Sequence, residues 1–214
     1  MIKYDSLIGK FLTEALNQMI LNFLFIVCCA GIVTIPASLS AMYAVQFMIH
    51  ADEDPNVFAC FFGELRKSYL RGLCAFLILA AAAAPAILIW IGCAVFDWQL
   101  PRLVHMLLAF IELCVFAVSR WLYPLIARYE NTLKGTFQSA FALCFSFFPT
   151  TVLLIAIPLL FIVLFAVMPS PLILTYTCFM IFFSCAVSAR LAVIPISRVF
   201  AKVTGEEVPY ESES

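Results

Sequence analysis

The chain has 214 residues, of which 65% are hydrophobic and 12% are charged, whereas soluble domains have about 45–50% and about 25%, respectively. A water-soluble fold of this size cannot bury so much apolar surface, so the composition indicates an integral membrane protein. The 12 Lys and Arg residues nearly balance the 13 Asp and Glu residues. A strongly basic surface for nucleic-acid binding is therefore not expected.

The first apolar run covers about residues 16–35 and follows a polar leader that includes Asp5 and Glu14. A secretory signal has a basic leader and a shorter apolar core, so we interpret this run as a retained transmembrane helix. The next segment, Pro36–His50, is apolar but reaches only about 22 Å as a helix, less than the hydrocarbon core of about 30 Å. It either crosses the membrane as a short tilted helix or forms a re-entrant arm.

Four later runs are long enough to cross a membrane as helices: residues 73–96, 103–126, 150–168 and 172–196. If Pro36–His50 also crosses, the chain has six spans, and every Lys and Arg except Arg102 lies on the same side as both termini. Cytoplasmic loops collect Lys and Arg, so this pattern favours six spans with both termini in the cytoplasm. If Pro36–His50 does not cross, the amino terminus lies on the opposite side and the Lys and Arg residues are divided less unequally between the two sides. The carboxyl terminus remains cytoplasmic in both cases.

Two segments on the predicted cytoplasmic side have the pattern of interfacial amphipathic helices. The first follows Asp54-Pro55, a favourable helix start, and has apolar residues at helical spacing: Phe58, Phe61, Phe62, Leu65 and Tyr69. The second covers residues 129–148, with an apolar stripe opposite three polar side chains: Glu130, Lys134 and Gln138. Such helices lie at the membrane interface, cover the end of a bundle or dock another protein.

Glu112 is the candidate functional residue inside the membrane, because it lies about 14 Å into the predicted span and therefore near the middle of the bilayer. A carboxylate at that depth is costly unless it is paired, protonated or in contact with water. His105 and Ser119 lie seven residues before and after it, on the same helical face. Arg190 on the last span is a conceivable partner.

Two interpretations of Glu112 stay open. In the first, it is a proton or solute site within the bundle. In the second, it is a protonated or hydrogen-bonded group that stabilises helix packing, with Asn22, Thr175, Thr177 and Ser184 as possible partners.

Four basic residues in the predicted cytoplasmic segments are candidates for contact with anionic lipid or a partner protein: Arg66, Lys67, Arg128 and Lys134.

The nine cysteines lie mostly in apolar runs and form no CxxC motif, so we interpret them as packing residues and not as disulfide, redox or metal sites. The sequence has no glycine-rich phosphate loop and no recognisable Ser-His-Asp or metal-ligand motif. Neither an enzyme nor a bound cofactor is therefore expected.

Three stretches carry a resemblance to a known family. They are Pro36-Ala37-Ser38-Leu39-Ser40-Ala41-Met42-Tyr43-Ala44-Val45, the following short acidic loop with Phe61 to Tyr69, and above all Leu122-Tyr123-Pro124-Leu125-Ile126-Ala127-Arg128-Tyr129-Glu130-Asn131-Thr132-Leu133. In this order they resemble the YesL family (domain of unknown function 624). The resemblance implies a bacterial integral membrane protein without an established biochemical role. It also implies an association with carbohydrate uptake, often beside sugar-transporter components, and it supplies no active-site residues.

The sequence thus predicts one all-α transmembrane bundle over residues 1–205 and a disordered acidic tail over residues 206–214. We expect a multi-pass protein of the bacterial inner membrane that is an accessory or subunit of a transport system, with permease or ATPase subunits as partners. One alternative is a stand-alone proton- or solute-coupled transporter that uses Glu112. The other alternative is a membrane sensor or assembly factor. The substrate, the partner and the oligomeric state stay open.

Overall fold

The computed structural model describes residues 7–51, 55–96, 98, 100–167, 175–177 and 180–205. Its α-helices are α1 (Leu7–Cys29), α2 (Ile35–His50), α3 (Val57–Phe96), α4 (Arg102–Arg128), α5 (Leu133–Ser146), α6 (Phe148–Val167) and α7 (Cys185–Thr204). A 3-10 turn, Ile32–Thr34, joins α1 to α2, and a π-helical turn, Met180–Ser184, leads into α7. These residues contain no β-strand, so the all-α prediction is confirmed. The predicted tail and the Asp54 helix cap lie outside the described residues.

Four helices in the described residues are long and apolar enough to cross a membrane. They are α1 from Leu12 to Cys29, α3, α4 and α6, and each overlaps one of the predicted apolar runs. The predicted run at residues 172–196 falls partly outside the described residues. These helices indicate a membrane protein. Their number is consistent with a chain that crosses the membrane more than once.

The short segment whose crossing was uncertain forms α2, which is the central helix of the described fold. It packs against α1, α3, α4 and α7, and its side chains from Pro36 to Gln46 are buried, except Leu39. Small residues such as Ala37, Ser40 and Ala41 let neighbouring helices approach closely. At 16 residues, α2 is about 24 Å long, so its position depends on packing more than on length.

The first predicted interfacial helix is not a separate element. Residues 57–96 form one uninterrupted helix of 40 residues, about 60 Å long. Phe61 in its first half is fully buried, whereas Phe58 and Phe62 are half exposed. The predicted stripe is therefore divided between the core and the surface. The helix can continue through this region because the sequence between Tyr69 and Leu73 contains no proline. The one glycine there, Gly72, packs closely against the backbone of α2.

The second predicted interfacial helix is shorter than expected and is packed against the bundle. α5 begins after Thr132, whose hydroxyl accepts a hydrogen bond from the Gly135 amide. Its buried face contacts α4 and α6. The contact is fixed by Trp121, whose indole donates to the Thr151 hydroxyl (2.9 Å), which in turn donates to the Cys144 carbonyl (2.9 Å). An interfacial position of α5 is not confirmed, and α5 also leaves Phe141 and Phe145 exposed.

The α2–α3 contact yields a test with a matched control. A Cβ atom at Gly72 would lie 3.2 Å from the Ala37 nitrogen and 3.2 Å from the Pro36 carbonyl carbon, both backbone atoms, whereas one at Gly63 would meet nothing within 4 Å. We expect Gly72→Leu to lower the free energy of unfolding by about 1–3 kcal/mol through overpacking. Gly63→Leu should leave it unchanged or raise it, because leucine favours the helix more than glycine. Thermal unfolding in detergent measures both, and equal melting temperatures would contradict the close packing.

Candidate functional site

Glu112 lies on α4 where that helix pairs with the second half of α3. The two helices are antiparallel, since Lys67 meets Glu130 near one end and Trp90 packs edge-on against His105 near the other (ring centroids 5.2 Å). This register places Glu112 level with the end of the alanine strip Ala80–Ala84. Among the described residues, the Glu112 Oε1 atom is buried and has no hydrogen-bond partner.

The structure does not join the other predicted intramembrane residues to Glu112 by a hydrogen bond. His105 contacts the carbonyl of Pro101 one turn earlier (3.4 Å), and Ser119 donates to the carbonyl of Phe116 (2.6 Å). Arg190 instead forms an ion pair with Glu14 of α1, with Nη2 2.9 Å from Oε1. A functional site that combines these residues with Glu112 stays a prediction.

A different polar cluster joins α1, α2 and the start of α7. Gln18 and Gln46 exchange two amide hydrogen bonds, of 3.1 and 2.6 Å. Gln46 also donates to the carbonyl of Ala186 (3.0 Å), and the amide of Ala186 donates to the side-chain oxygen of Asn22 (2.9 Å). Asn22 and Gln46 are fully buried and Gln18 is 5% exposed. The cluster thus satisfies backbone groups where the π-helical turn changes to α-helix.

A cleft of about 360 Å³ lies beside this amide cluster, and the Glu14–Arg190 ion pair contributes to its wall. Gln18, Phe183 and Val187 line it as well. Arg190 is only 24% exposed in its side chain, and its Nη1 atom has no hydrogen-bond partner among the described residues. The arrangement can hold a polar group between α1 and α7.

The predicted basic contact residues lie at the end of the bundle that contains the α4–α5 loop. Lys67 is within 2.6 Å of Glu130, and this hydrogen bond lowers the pKa of the Glu130 carboxyl and raises the pKa of Lys67. Both groups are largely exposed. The contribution of this pair to stability is therefore small; it is lost as pH falls through the lowered Glu130 pKa or rises through the raised Lys67 pKa.

The other predicted contact residues differ in their surroundings. The Arg128 guanidinium lies over the Phe47 ring, 5.6 Å from its centroid, whereas Arg66 and Lys134 are exposed. Nearby, Arg71 donates to the Tyr129 carbonyl (3.3 Å) and ties α3 to the loop before α5. Docking of lipid or protein at the four predicted residues stays a prediction.

The amide cluster was missed because its partners are far apart in the sequence. Gln18 and Asn22 are separated by one helical turn within an apolar run, and that spacing is the only local signal. Their partners, Gln46 and Ala186, become neighbours only in the folded chain. The described residues contain no group of three His, Cys, Asp or Glu side chains that could hold a metal ion.

The reciprocal amide pair predicts non-additive effects of mutation. Gln18→Leu and Gln46→Leu each leave one buried amide without its partner, so each should lower the free energy of unfolding by about 1–3 kcal/mol. The double variant should cost less than the sum of the two, with a coupling energy of about 1 kcal/mol. Unfolding of the four proteins in one detergent measures this cycle. Strict additivity would show that the two side chains do not interact.

Comparison with known proteins shows that part of this chain is similar to a known family. Residues 18–90 match the family model described as "Protein of unknown function, DUF624". The matched segment includes both members of the glutamine pair, the whole of α2 and most of α3. No curated protein and no solved structure matched the chain. The resemblance found in the sequence is therefore confirmed over residues 18–90, about a third of the chain.

Proposed function

We propose that this protein is an accessory or subunit of a membrane transport system and that it docks the membrane part of its partner through one hairpin. The hairpin consists of residues 73–96 of α3 and residues 102–116 of α4, here called the α3–α4 hairpin. The observation that carries the proposal is the buried, unpartnered carboxylate oxygen of Glu112 within this apolar hairpin. The substrate class, a carbohydrate, comes only from the family resemblance.

The surface of the hairpin is apolar and exposed over most of its length. Exposed side chains on α4 include Leu103, Leu107, Phe110 and Leu113. Lipid chains can cover these side chains, but they cannot donate a hydrogen bond to Glu112. Glu112 as a residue is only partly buried, so a partner helix with a donor or a cation at the same depth would reach its carboxyl group, and intramembrane polar groups commonly pair in this way.

Packing in the bundle favours an accessory over a stand-alone transporter. Its large buried side chains include Trp121, Phe61, Leu122 and Leu154, which fill the space between the helices. Glu112 lines neither the cleft beside the amide cluster nor the cleft around Arg120. A transporter that uses Glu112 requires a polar cavity at that residue. A membrane sensor or assembly factor would dock its partner through the same hairpin. It would be distinguished from a transport accessory by the partner that co-purifies with it.

For the arrangement in the membrane, we favour six spans with both termini in the cytoplasm. The pairing of Gln18 with Gln46 supports this proposal, because it makes α2 run back along α1 toward the side where α1 begins. The Glu14–Arg190 and Asn22–Ala186 contacts likewise make α7 antiparallel to α1. The end of α7 therefore lies toward the start of α1.

Reporter fusions test this arrangement. A reporter that fluoresces only in the cytoplasm should be active when it is fused before residue 1 or after residue 214, and inactive when it is inserted between residues 97 and 101. An inactive amino-terminal fusion combined with an active carboxyl-terminal fusion would support five spans and a re-entrant α2.

Co-purification tests the proposed function. The tagged protein is extracted from its native membrane in mild detergent, and the proteins that accompany it are identified by mass spectrometry. We expect stoichiometric permease or ATPase subunits with the wild type. Glu112→Gln should reduce their recovery by about tenfold, which corresponds to about 1.4 kcal/mol.

Glu64→Gln is the control, because Glu64 lies outside the hairpin and should retain the partner. Equal partner recovery with Glu112→Gln would contradict docking through Glu112. Recovery of the protein alone, together with solute uptake by vesicles that contain only this protein, would identify a stand-alone transporter.

A further inference from the structure

A second polar group within the bundle belongs neither to the proposed docking hairpin nor to the amide cluster. Arg120, eight residues after Glu112 on α4, lines a cleft of about 260 Å³ between α2, α4, α6 and α7. The cleft also contains the hydroxyl-bearing side chains of Tyr43, Ser184 and Ser188. A guanidinium and three hydroxyl groups therefore share one small cleft.

Among the described residues, no acidic side chain lines the cleft beside Arg120. Its Nε atom is buried and has no hydrogen-bond partner among the described residues. Neither of the two ion pairs described above includes it, and the residues that line the cleft include no Asp or Glu. A guanidinium held among apolar helices without a counterion is costly, so a bound anion would stabilise it.

The remaining wall of the cleft is apolar. Pro158, Phe161 and Ile162 of α6 form one side, and Phe25 and Met42 contribute from α1 and α2. The polar and apolar parts together match an amphiphile that has an anionic head and a hydrocarbon tail. A volume of about 260 Å³ lies below the roughly 300–1,000 Å³ of pockets that enclose a whole drug-sized ligand, so it would hold the head and the first part of a tail.

We infer that the Arg120 cleft binds the phosphate of an anionic membrane lipid, with the start of its acyl chain against α6. The planar guanidinium can donate two parallel hydrogen bonds to phosphate oxygens. Tyr43 and Ser188 bring further hydroxyl groups to the cleft. Basic pockets between membrane helices bind lipid headgroups in this way. A free phosphate ion would use the same donors but would leave the apolar wall of the cleft uncovered, which favours the lipid. This inference is independent of the proposed transport function.

Lipid retention tests the inference. Purified, delipidated full-length protein is mixed with phosphatidylglycerol or with phosphatidylcholine in detergent, and bound lipid is counted by native mass spectrometry. We expect the wild type to retain phosphatidylglycerol in preference to phosphatidylcholine. Arg120→Gln should reduce the fraction of protein with bound phosphatidylglycerol at least fivefold. Arg102→Gln, which changes an exposed arginine at the other end of α4, should not.

Thermal unfolding distinguishes a lipid phosphate from a free phosphate ion. With a second variant, it also tests the inference if Arg120→Gln does not fold. Phosphatidylglycerol should raise the melting temperature of the wild type more than phosphatidylcholine does. The conservative Arg120→Lys variant keeps the charge but loses the paired donors, so it should show a smaller rise. Equal phosphatidylglycerol binding by the wild type and both Arg120 variants would overturn the inference. If inorganic phosphate raises the melting temperature in a way that depends on Arg120, and phosphatidylglycerol does not raise it, lipid binding would be overturned and the ligand would be a soluble phosphate.

Discussion

The arrangement of the described helices depends on the hydrogen bonds that hold α2 in the centre of the bundle. A helix of 16 residues is too short to be positioned by the thickness of the membrane alone. Its one buried glutamine, Gln46, bonds to both Gln18 and the carbonyl of Ala186. An unpaired amide in an apolar interior is costly. The position of Gln46 thus sets how α1 and α7 align with α2.

The irregular start of α7 is explained by the same contacts. The chain changes from π-helical to α-helical geometry between Ser184 and Cys185, and backbone groups near such a change lack regular partners. Asn22 accepts from the Ala186 amide and Gln46 donates to the Ala186 carbonyl. Side chains from α1 and α2 therefore stabilise the irregular backbone, as is required within an apolar environment.

The sequence predicts the features that depend on local composition and misses those that depend on tertiary contacts. Long apolar runs locate α1, α3, α4 and α6 because length and hydrophobicity suffice to define a candidate span. The central role of α2 is not visible in this way, because a helix buried on all faces has no amphipathic pattern. The continuity of α3 was missed for a related reason, since a charged stretch next to an apolar run suggests two elements.

The candidate sites show the same limit. Glu112 was found because an acid within an apolar run is conspicuous, and the structure does bury one of its oxygens. Arg190 was considered a conceivable partner of Glu112 because it lies on the last predicted span, but it pairs with Glu14 on α1, a contact that only the packing of α1 against α7 produces. The same applies to Arg120, which counts as a cytoplasmic charge in the sequence but lines a cleft inside the bundle.

The two polar groups of α4, Glu112 and Arg120, are eight residues apart, or about 12 Å along one helix. That distance is too large for a direct ion pair, and their surroundings differ. Glu112 belongs to the exposed hairpin, whereas Arg120 faces α2, α6 and α7. Coupling between two sites requires an element with two alternative arrangements that both sites bias, and α4 is a single continuous helix between them. A partner at Glu112 and a lipid at Arg120 should therefore bind independently, and each can be removed by mutation without loss of the other.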